Sequence, residues 1–297
     1  MSGAVALRVP RRGGRAGDLV FWWVCGLMAV AGSLVVLLIA GFLVGETLPL
    51  VAGGGLSRFL TDPGWWPREG SFNVLPMVVA SLCLTAGALL VATPLALAYA
   101  IVLRFHAPPA VAVTMNAVVE AGAAVPTVIY GLWGLTVLVP VIGAFGPTGA
   151  TLLTGILVLA LMVFPTLSLL ARAALDEVPD AYVHAATALA AGRSRVVLGV
   201  VVPAARHGIL SAMVLAAARA IGETMVVLMV CGNIVQLPDS LLAPVRALTA
   251  NIALEMPYAV GDHRAALFAT GLVMLVLVTT LVAFSEWAGS RGRRMHA

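Results

Sequence analysis

The chain has 297 residues, of which 61% are hydrophobic and 10% are charged, and its mean hydropathy is +1.06. An average soluble protein carries about 25% charged residues, so this composition excludes an ordinary soluble domain. Several uncharged runs are longer than the roughly 18 residues that mark a membrane-spanning helix. We therefore predict an all-α, polytopic membrane protein that uses the lipid bilayer as its main solvent.

The basic residues also narrow the possible functions, because all 17 of them are arginine. A Walker A loop needs a lysine to reach nucleotide phosphates, so the chain does not bind ATP through such a loop. A basic excess on a membrane protein usually lies in its cytoplasmic loops, and no nucleic-acid partner is expected. The cysteines lie in or beside apolar runs, and we predict buried packing residues that form neither disulfides nor metal sites. They are Cys25, Cys83 and Cys231.

The apolar runs, taken in chain order, predict about six spans. These are 19–45, 75–103, 112–139, 150–172, 208–231 and 265–284. The first run is longer than the apolar part of a signal peptide and is predicted to be an uncleaved helix. The connecting segments include an external loop at 46–74, an inner loop at 173–207 and an external loop at 232–264, with tails at 1–18 and 291–297.

The distribution of arginines predicts the orientation. Twelve arginines lie in the predicted inner segments and four in the outer segments, and the remaining one, Arg219, lies inside the fifth span. The positive-inside rule therefore places both termini in the cytoplasm. Trp65 and Trp66 lie beside charged residues in the first external loop, a pattern that predicts an interfacial anchor.

Arg219 and Glu223 are the clear charges inside the fifth span. Their spacing of four predicts one shared helical face and a pair. A charge at the centre of a span costs about 2.5 to 3.5 kcal/mol on insertion scales, so the pair should face a cavity or a partner subunit. The guanidinium of Arg219 can make two hydrogen bonds to an oxyanion, and Thr224 adds a hydroxyl. The pattern indicates an anionic substrate; the alternative is a self-neutralised pair that only locks helix packing.

The third span contains the sequence PTVIYGLWG. Pro126 removes a backbone donor and predicts a kink, while Gly131 and Gly134 permit close approach of another helix. A broken helix often lines a cavity, where Thr127 and Tyr130 could offer hydroxyls to a ligand. Simple packing of a kinked helix explains the same residues equally well.

The inner loop predicts two short helices that meet at Gly192. Pro179 suits a first helical turn, and Asp180 lies where the helix dipole favours a negative charge. A pair of short helices of this kind could be moved by contact with another subunit, although an ordinary solvated loop also fits these residues.

The same loop resembles the EAA loop of ABC-importer permeases. The family pattern is Glu-Ala-Ala, three residues, Gly, and a Pro thirteen residues after the Gly; here His184 replaces the acid and Ala190 replaces the Gly. The resemblance implies that the loop docks on a partner ATPase. The implied docking residues are His184, Ala185, Ala186, Ala190, Arg193 and Pro203.

Further segments resemble the permeases of phosphate-specific transport systems. They are 126–134, 218–225, 231–233 and 248–255. In the first of them, Thr127 occupies the serine position of a Pro-Ser-Val-Val-Tyr-Gly stretch. The last three resemble one of the two permease types of such a system, because Met225 and Val226 stand where the sister type carries Ala-Pro.

This resemblance covers residues 75–290 and implies a type I ABC-importer permease (MetI-like) fold in a bacterial cell membrane. It implies inward movement of inorganic phosphate by alternating access, driven by ATP hydrolysis on a partner chain. The implied partners are a PstA-like second permease, a PstB-like ATPase dimer and an external PstS-like phosphate-binding protein. Arg219 and Glu223 match the family's charged pair, and the implied role is that Arg219 contacts or guides phosphate while Glu223 orients Arg219.

Other functions stay open at this point. The same scaffold could carry sulfate, molybdate or phosphonate, the chain could be the sister PstA-type subunit, or it could serve in signalling. A membrane-embedded enzyme would need a catalytic constellation within the bilayer, and the spans contain no HExxH motif, paired aspartates or GxSxG with a nearby His. No enzymatic role, cofactor or metal is expected.

Overall fold

The structure is a computed structural model that describes residues 15–52, 55–146 and 148–294. Most of the predicted tails, at 1–14 and 295–297, therefore lie outside the described residues. The described part of the chain is mostly helical, with one antiparallel strand pair. The elements are α1 (Arg15–Ala52), α2 (Gly55–Thr61), β1 (Trp65–Trp66), β2 (Ser71–Phe72), α3 (Leu75–Phe105), α4 (Pro109–Ala124), α5 (Thr127–Trp133), α6 (Val139–Gly143), α7 (Leu152–Asp176), α8 (Asp180–Ala188), α9 (Arg193–Val196), α10 (Val202–Ala204), α11 (Arg206–Ile221), α12 (Met225–Val230), α13 (Leu248–Glu255) and α14 (Gly261–Arg294).

The described residues contain four helices long and apolar enough to cross a membrane, namely α1, α3, α7 and the part of α14 up to Phe284. Two bent helix pairs raise this number to as many as six. The segment of α5 and α6 meets α4 at 93°, and α11 meets the segment of α9 and α10 at 67°. The prediction of about six spans agrees with the larger number, and the third predicted span is bent. The second bent pair covers 193–221 and therefore only partly overlaps the predicted fifth span at 208–231.

The contact between α3 and α7 forms the centre of the bundle. Alanine recurs at every fourth position of α3, and each of these side chains is at most 1% exposed: Ala88, Ala92, Ala96 and Ala100. Small residues at this spacing let two membrane helices approach closely. A Cβ added to Gly87 would lie 2.5 Å from Ile156 Cδ1, and one added to Gly155 would lie 2.5 Å from Cys231 Sγ. These two glycines therefore set how closely α3, α7 and the end of α12 pack.

The end of the bundle that carries β1 and β2 is named the hairpin end. Much of the predicted external loop at 46–74 is ordered, since α1 continues to Ala52 and α2 and the hairpin follow. Trp65 is only 5% exposed and packs edge-on against Phe72, whereas Trp66 is 51% exposed. The prediction of a paired surface anchor was therefore wrong for Trp65, which is a core residue of this end.

The opposite end, which carries α8, is named the α8 end. An apolar cluster there joins the ends of α3 and α7 to the segments that follow α8. Its buried members include Ala100, Ala171, Leu175, Val178, Val196 and Val201. The inner loop is thus not a free solvated segment, because it packs on the two central helices.

The cysteines differ from one another in burial. Cys231 is buried, Cys83 is half-buried and Cys25 is exposed. The prediction that all three are buried was wrong for Cys25, because none of the apolar window of α1 is buried in the chain. In a polytopic membrane protein such an apolar face is stable in contact with lipid.

Candidate functional site

The fifth predicted span is interrupted after Ile221, and α12 starts only at Met225. Glu223 lies in the break, where its Oε1 accepts hydrogen bonds from the backbone N–H groups of Met225 at 3.1 Å and Val226 at 3.3 Å. The first N–H groups of a helix have no partner within the helix. Glu223 therefore caps the start of α12.

The break separates the two charges that the sequence pattern joined. Residues four apart pair only on a continuous helix, and α11 ends before Glu223. Among the described residues, Arg219 makes no hydrogen bond or ion pair with any side chain, Glu223 included. The prediction of an Arg219–Glu223 pair on one helical face was therefore wrong.

Arg219 lies in the last turn of α11, where the helix dipole favours a cation. It shares an exposed face with Ser211 and Leu215, while Ala212, Ala216 and Ala220 on the neighbouring face are buried. The site therefore offers an accessible cation that the described part of the chain does not neutralise by a direct contact.

The third predicted span is broken at Pro126, as expected from its lack of a backbone donor. α4 ends at Ala124, and α5 begins at Thr127 after a sharp bend. Across the bend, the hydroxyl of Tyr130 donates a 2.7 Å hydrogen bond to the carbonyl oxygen of Gly122. Tyr130 therefore satisfies a backbone group left over by the break, while Thr127 is half-buried at the start of α5.

The two breaks lie next to each other because α5 packs on α12. A Cβ added to Gly131 would lie 3.0 Å from Met229 Sδ and 3.3 Å from Val226 Cα, so the glycine permits the contact as predicted. The structure thus brings the segment with Thr127 and Tyr130 to the side of the segment with Glu223 and Thr224. Backbone breaks inside membrane proteins occur where they are buried in protein or line a cavity.

A further polar group, absent from the predicted site, braces this region from the hairpin end. The hydroxyl of Thr249, on α13, donates a 2.7 Å hydrogen bond to the carbonyl oxygen of Glu223.

Glu255, at the end of α13, binds Arg246 Nη1 at 2.6 Å through Oε1. Its Oε2 accepts from Trp65 Nε1 at 2.7 Å and contacts His263 Nε2 at 2.9 Å. Glu255 therefore links the end of α13 to three other segments of the chain. We call the side chains of Glu255, Arg246, Trp65 and His263 the Glu255 cluster.

The sequence offered only an indirect signal for this cluster. Arg246, Glu255 and His263 lie in one predicted loop, where no pattern shows that they meet, and the fourth member, Trp65, is 190 residues from Glu255. The resemblance to phosphate permeases at 231–233 and 248–255 did indicate the segment that contains Glu255. Asn233 has a φ of 56°, and its carbonyl oxygen accepts from Arg246 Nε at 2.8 Å.

The predicted docking loop has two short helices, α8 and α9, with Gly192 just before α9, as the pattern indicated. Five of the six residues carried over from the family are exposed, and the sixth, Ala186, is half-buried against the α8-end cluster. The exposed residues are His184, Ala185, Ala190, Arg193 and Pro203. The surface is accessible in this chain.

Ala190, which stands in the glycine position of the family pattern, has a φ of 57°. Left-handed backbone costs an L-residue roughly 1 to 2 kcal/mol, and glycine escapes this cost because it lacks a Cβ. The turn at Ala190 therefore has a backbone shape that glycine, the residue of the family pattern, adopts without this cost.

The arrangement of helices, with an exposed loop of short helices at the α8 end and two broken spans beside each other, is that of an ABC-importer permease. An inward-facing structure of the MetNI methionine ABC transporter has a chain that aligns with a TM-score of 0.55 and 22% sequence identity, covering 75% of this chain and 96% of that one. At this identity the similarity establishes the fold.

Residues 92–294 match the family described as binding-protein-dependent transport system inner membrane component, and the chain belongs to that family. It is therefore a multi-pass membrane subunit of an ABC importer, which works with an ATPase and a substrate-binding protein.

Two curated relatives align over most of this chain. One is the probable ABC transporter permease protein YqgH of Bacillus subtilis, which is 34% identical over 90% of this chain and 88% of its own length. The other is the phosphate transport system permease protein PstC of Mesorhizobium japonicum, which is 32% identical over 86% of each chain.

Proposed function

We propose that the chain is a PstC-type permease subunit that moves inorganic phosphate into the cell by alternating access. The observation that carries the proposal is the position of Arg219, an exposed arginine without a direct charge partner among the described residues, beside two helix breaks. An arginine in a low-dielectric site favours an oxyanion, because its planar fork makes two charge-assisted hydrogen bonds. The names of relatives such as PstC supply the particular anion.

The side chains around Arg219 have different parts in this proposal. Tyr130 already donates its only hydroxyl proton to Gly122, so in this conformation it supports the break and has no proton to offer phosphate. Thr127 and Thr224 are second-rank pathway candidates, since each is half-buried next to a break. One free cation favours weak binding, which a transporter needs in order to release its substrate.

The α8 end is the cytoplasmic end in this proposal. Its support is the excess of arginines in the segments at that end, which the positive-inside rule associates with the cytoplasm. The exposed surface around His184, Ala185 and Arg193 would then dock on a PstB-like ATPase dimer. The hairpin end would face an external PstS-like phosphate-binding protein, and a PstA-like permease would complete the pathway.

The direct test is ATP-dependent uptake of labelled phosphate into vesicles that contain the complete reconstituted complex. We expect uptake that unlabelled phosphate suppresses and that equal concentrations of sulfate, molybdate or a phosphonate leave nearly unchanged. Suppression by one of those anions in preference to phosphate would assign the scaffold to that anion. ATP hydrolysis without uptake of any of them would contradict the proposal.

The role of Glu223 gives a separate prediction. If Glu223 acts as the cap seen in the structure, Glu223→Gln should transport at close to the wild-type rate, because its amide oxygen can still accept from the backbone of α12. Glu223→Ala should lose roughly 1 kcal/mol of local stability, as helix caps do, and transport less. Uptake rates and thermal unfolding of the two variants make the comparison. Equal loss of uptake in both variants, with stability unchanged, would instead indicate that the charge of Glu223 is required.

A further inference from the structure

A buried arginine at the α8 end holds the start of the docking loop. Arg104, in the last turn of α3, has a side chain that is only 11% exposed. Its Nη2 donates a 3.2 Å hydrogen bond to the carbonyl oxygen of Val178 and lies 3.6 Å from a carboxylate oxygen of Asp180, the first residue of α8. Its Nε lies 3.6 Å from Asp176 Oδ1 at the end of α7. Arg104 therefore joins the central helices to the helix that the ATPase would meet.

The contacts continue from Asp176 to the broken third span. The second carboxylate oxygen of Asp176 lies 3.6 Å from Arg172 Nε. Arg172 Nη1 donates a 2.9 Å hydrogen bond to Asn116 Oδ1, and the amide of Asn116 donates to the carboxylate of Glu120. Asn116 and Glu120 are on α4, and Glu120 lies in its last turn before the break.

These contacts form one connected polar path, which we call the inner path. It consists of Asp180, Arg104, Asp176, Arg172, Asn116 and Glu120. Connected ion pairs and hydrogen bonds of this kind can carry energetic coupling between two sites when both sites bias the same element. Here one end of the path is on α8 and the other is on α4, six residues before the bend at Pro126.

The burial of the path differs along its length, and this determines which contact can change. Arg104 is anchored, because its Nη2 donates to the carbonyl oxygen of Val178 and its guanidinium lies 5.0 Å from the centre of the Phe105 ring. Asp180 is 83% exposed, so its ion pair with Arg104 is screened by solvent and weak. A displacement of α8 therefore reaches Arg104 chiefly through the hydrogen bond to the carbonyl oxygen of Val178, two residues before α8.

We propose that Arg104 is the positioning residue that couples α8 to the broken third span, so that ATP-driven displacement of α8 reaches the bend through Arg172 and Asn116. This inference rests on the proposed function in one respect, namely that α8 meets the ATPase. Arg104 does not contact the transported anion in this arrangement. Its substitution should change how much transport each ATP molecule produces.

The test compares wild type and Arg104→Gln in the full reconstituted complex, with phosphate uptake and ATP hydrolysis measured on the same vesicles. We expect Arg104→Gln to assemble and hydrolyse ATP, while phosphate moved per ATP falls about tenfold, within the usual range of coupling between sites. Arg172→Gln should cause a similar loss, and the double variant should lose little more, because residues of one network are not additive. Arg206→Gln is the matched control, since Arg206 is exposed at the same end and lies outside the inner path.

If the ratio of phosphate moved to ATP hydrolysed is unchanged in Arg104→Gln, the proposal is overturned. This includes the case in which uptake and hydrolysis fall in proportion. If Arg104→Gln does not assemble, Asp176→Asn replaces it, because this change removes the shared charge and keeps the side-chain shape. Failure of both variants to assemble would show that the path only supports folding and would also overturn the proposal.

A second readout separates this proposal from the identity of the substrate. A thiol introduced as Val128→Cys, with the native cysteines replaced by alanine, reports on α5 just after the bend. ATP should change its rate of reaction with N-ethylmaleimide in the otherwise unchanged chain and should have no effect in Arg104→Gln. If the wild-type complex moves no phosphate, the proposed substrate fails while this reporter still tests Arg104. An equal response of the thiol in both chains would contradict the coupling role.

Discussion

Replacement of Arg219 by glutamine should leave a complex that assembles and hydrolyses ATP but moves almost no phosphate. Glutamine fills similar space and keeps a hydrogen-bond donor, so the packing of α11 should survive, because the side chain lies on an exposed face. The charge-assisted contact to the anion is lost, which corresponds to about 3 kcal/mol or roughly a hundredfold in rate. Labelled phosphate uptake and ATP hydrolysis, measured on the same vesicles, give the result.

Two further variants define what the arginine supplies. Arg219→Lys keeps the charge but loses the planar fork, and its uptake should lie between those of Gln and wild type. Arg206→Gln removes a charge from the other end of the same helix and should transport normally. Normal uptake by Arg219→Gln would contradict the pathway role and would direct attention to Thr127 and Thr224.

Much of the fold could be predicted from the sequence because the bilayer constrains it strongly. A long uncharged run has few alternatives to a helix in lipid, and the runs at 75–103, 150–172 and 265–284 correspond to α3, α7 and the apolar part of α14. Pro126 likewise predicted the break in the third span, since proline cannot donate a backbone hydrogen bond.

The break in the fifth span was not predictable by the same reasoning. Glycine is common in membrane helices, so Gly222 gave no clear signal of a helix end. The break exists because partners from other segments satisfy the freed backbone: Glu223 caps α12, and Thr249 donates to the carbonyl oxygen of Glu223. A local pattern therefore located the charged residues of the site but gave the wrong partner for Arg219.

The inner path and the Glu255 cluster show the same limit on a larger scale. Trp65 and Glu255 are separated by 190 residues and still form a direct hydrogen bond. Arg104 reaches the Val178 carbonyl oxygen across 74 residues. Hydropathy identifies such residues only as the polar ends of spans, and the helix packing decides which of them meet.

The Glu255 cluster gives the prediction with the largest effect on stability. Glu255→Gln removes the charge that holds Arg246 and leaves Arg246, Trp65 and His263 with one amide oxygen in place of two carboxylate oxygens. The side chains of Arg246 and Glu255 are 19% and 20% exposed, so most of the pair is shielded from water. Loss of one member of a largely buried pair should reduce the free energy of unfolding by about 2 to 3 kcal/mol. For a chain of this size, the midpoint of thermal unfolding should fall by roughly 5 to 10 °C.

Glu69→Gln is the matched control for this prediction. Glu69 is an exposed acid that lines the same surface pocket at the hairpin end as Glu255 and His263, and it has no described partner. It should change the free energy of unfolding by no more than about 0.5 kcal/mol, as exposed substitutions usually do. If Glu255→Gln and Glu69→Gln unfold at the same temperature, the cluster does not hold the hairpin end together. If only Glu255→Gln is destabilised, the weakened position of α13 should also reduce phosphate uptake, since Thr249 on that helix braces the break beside Arg219.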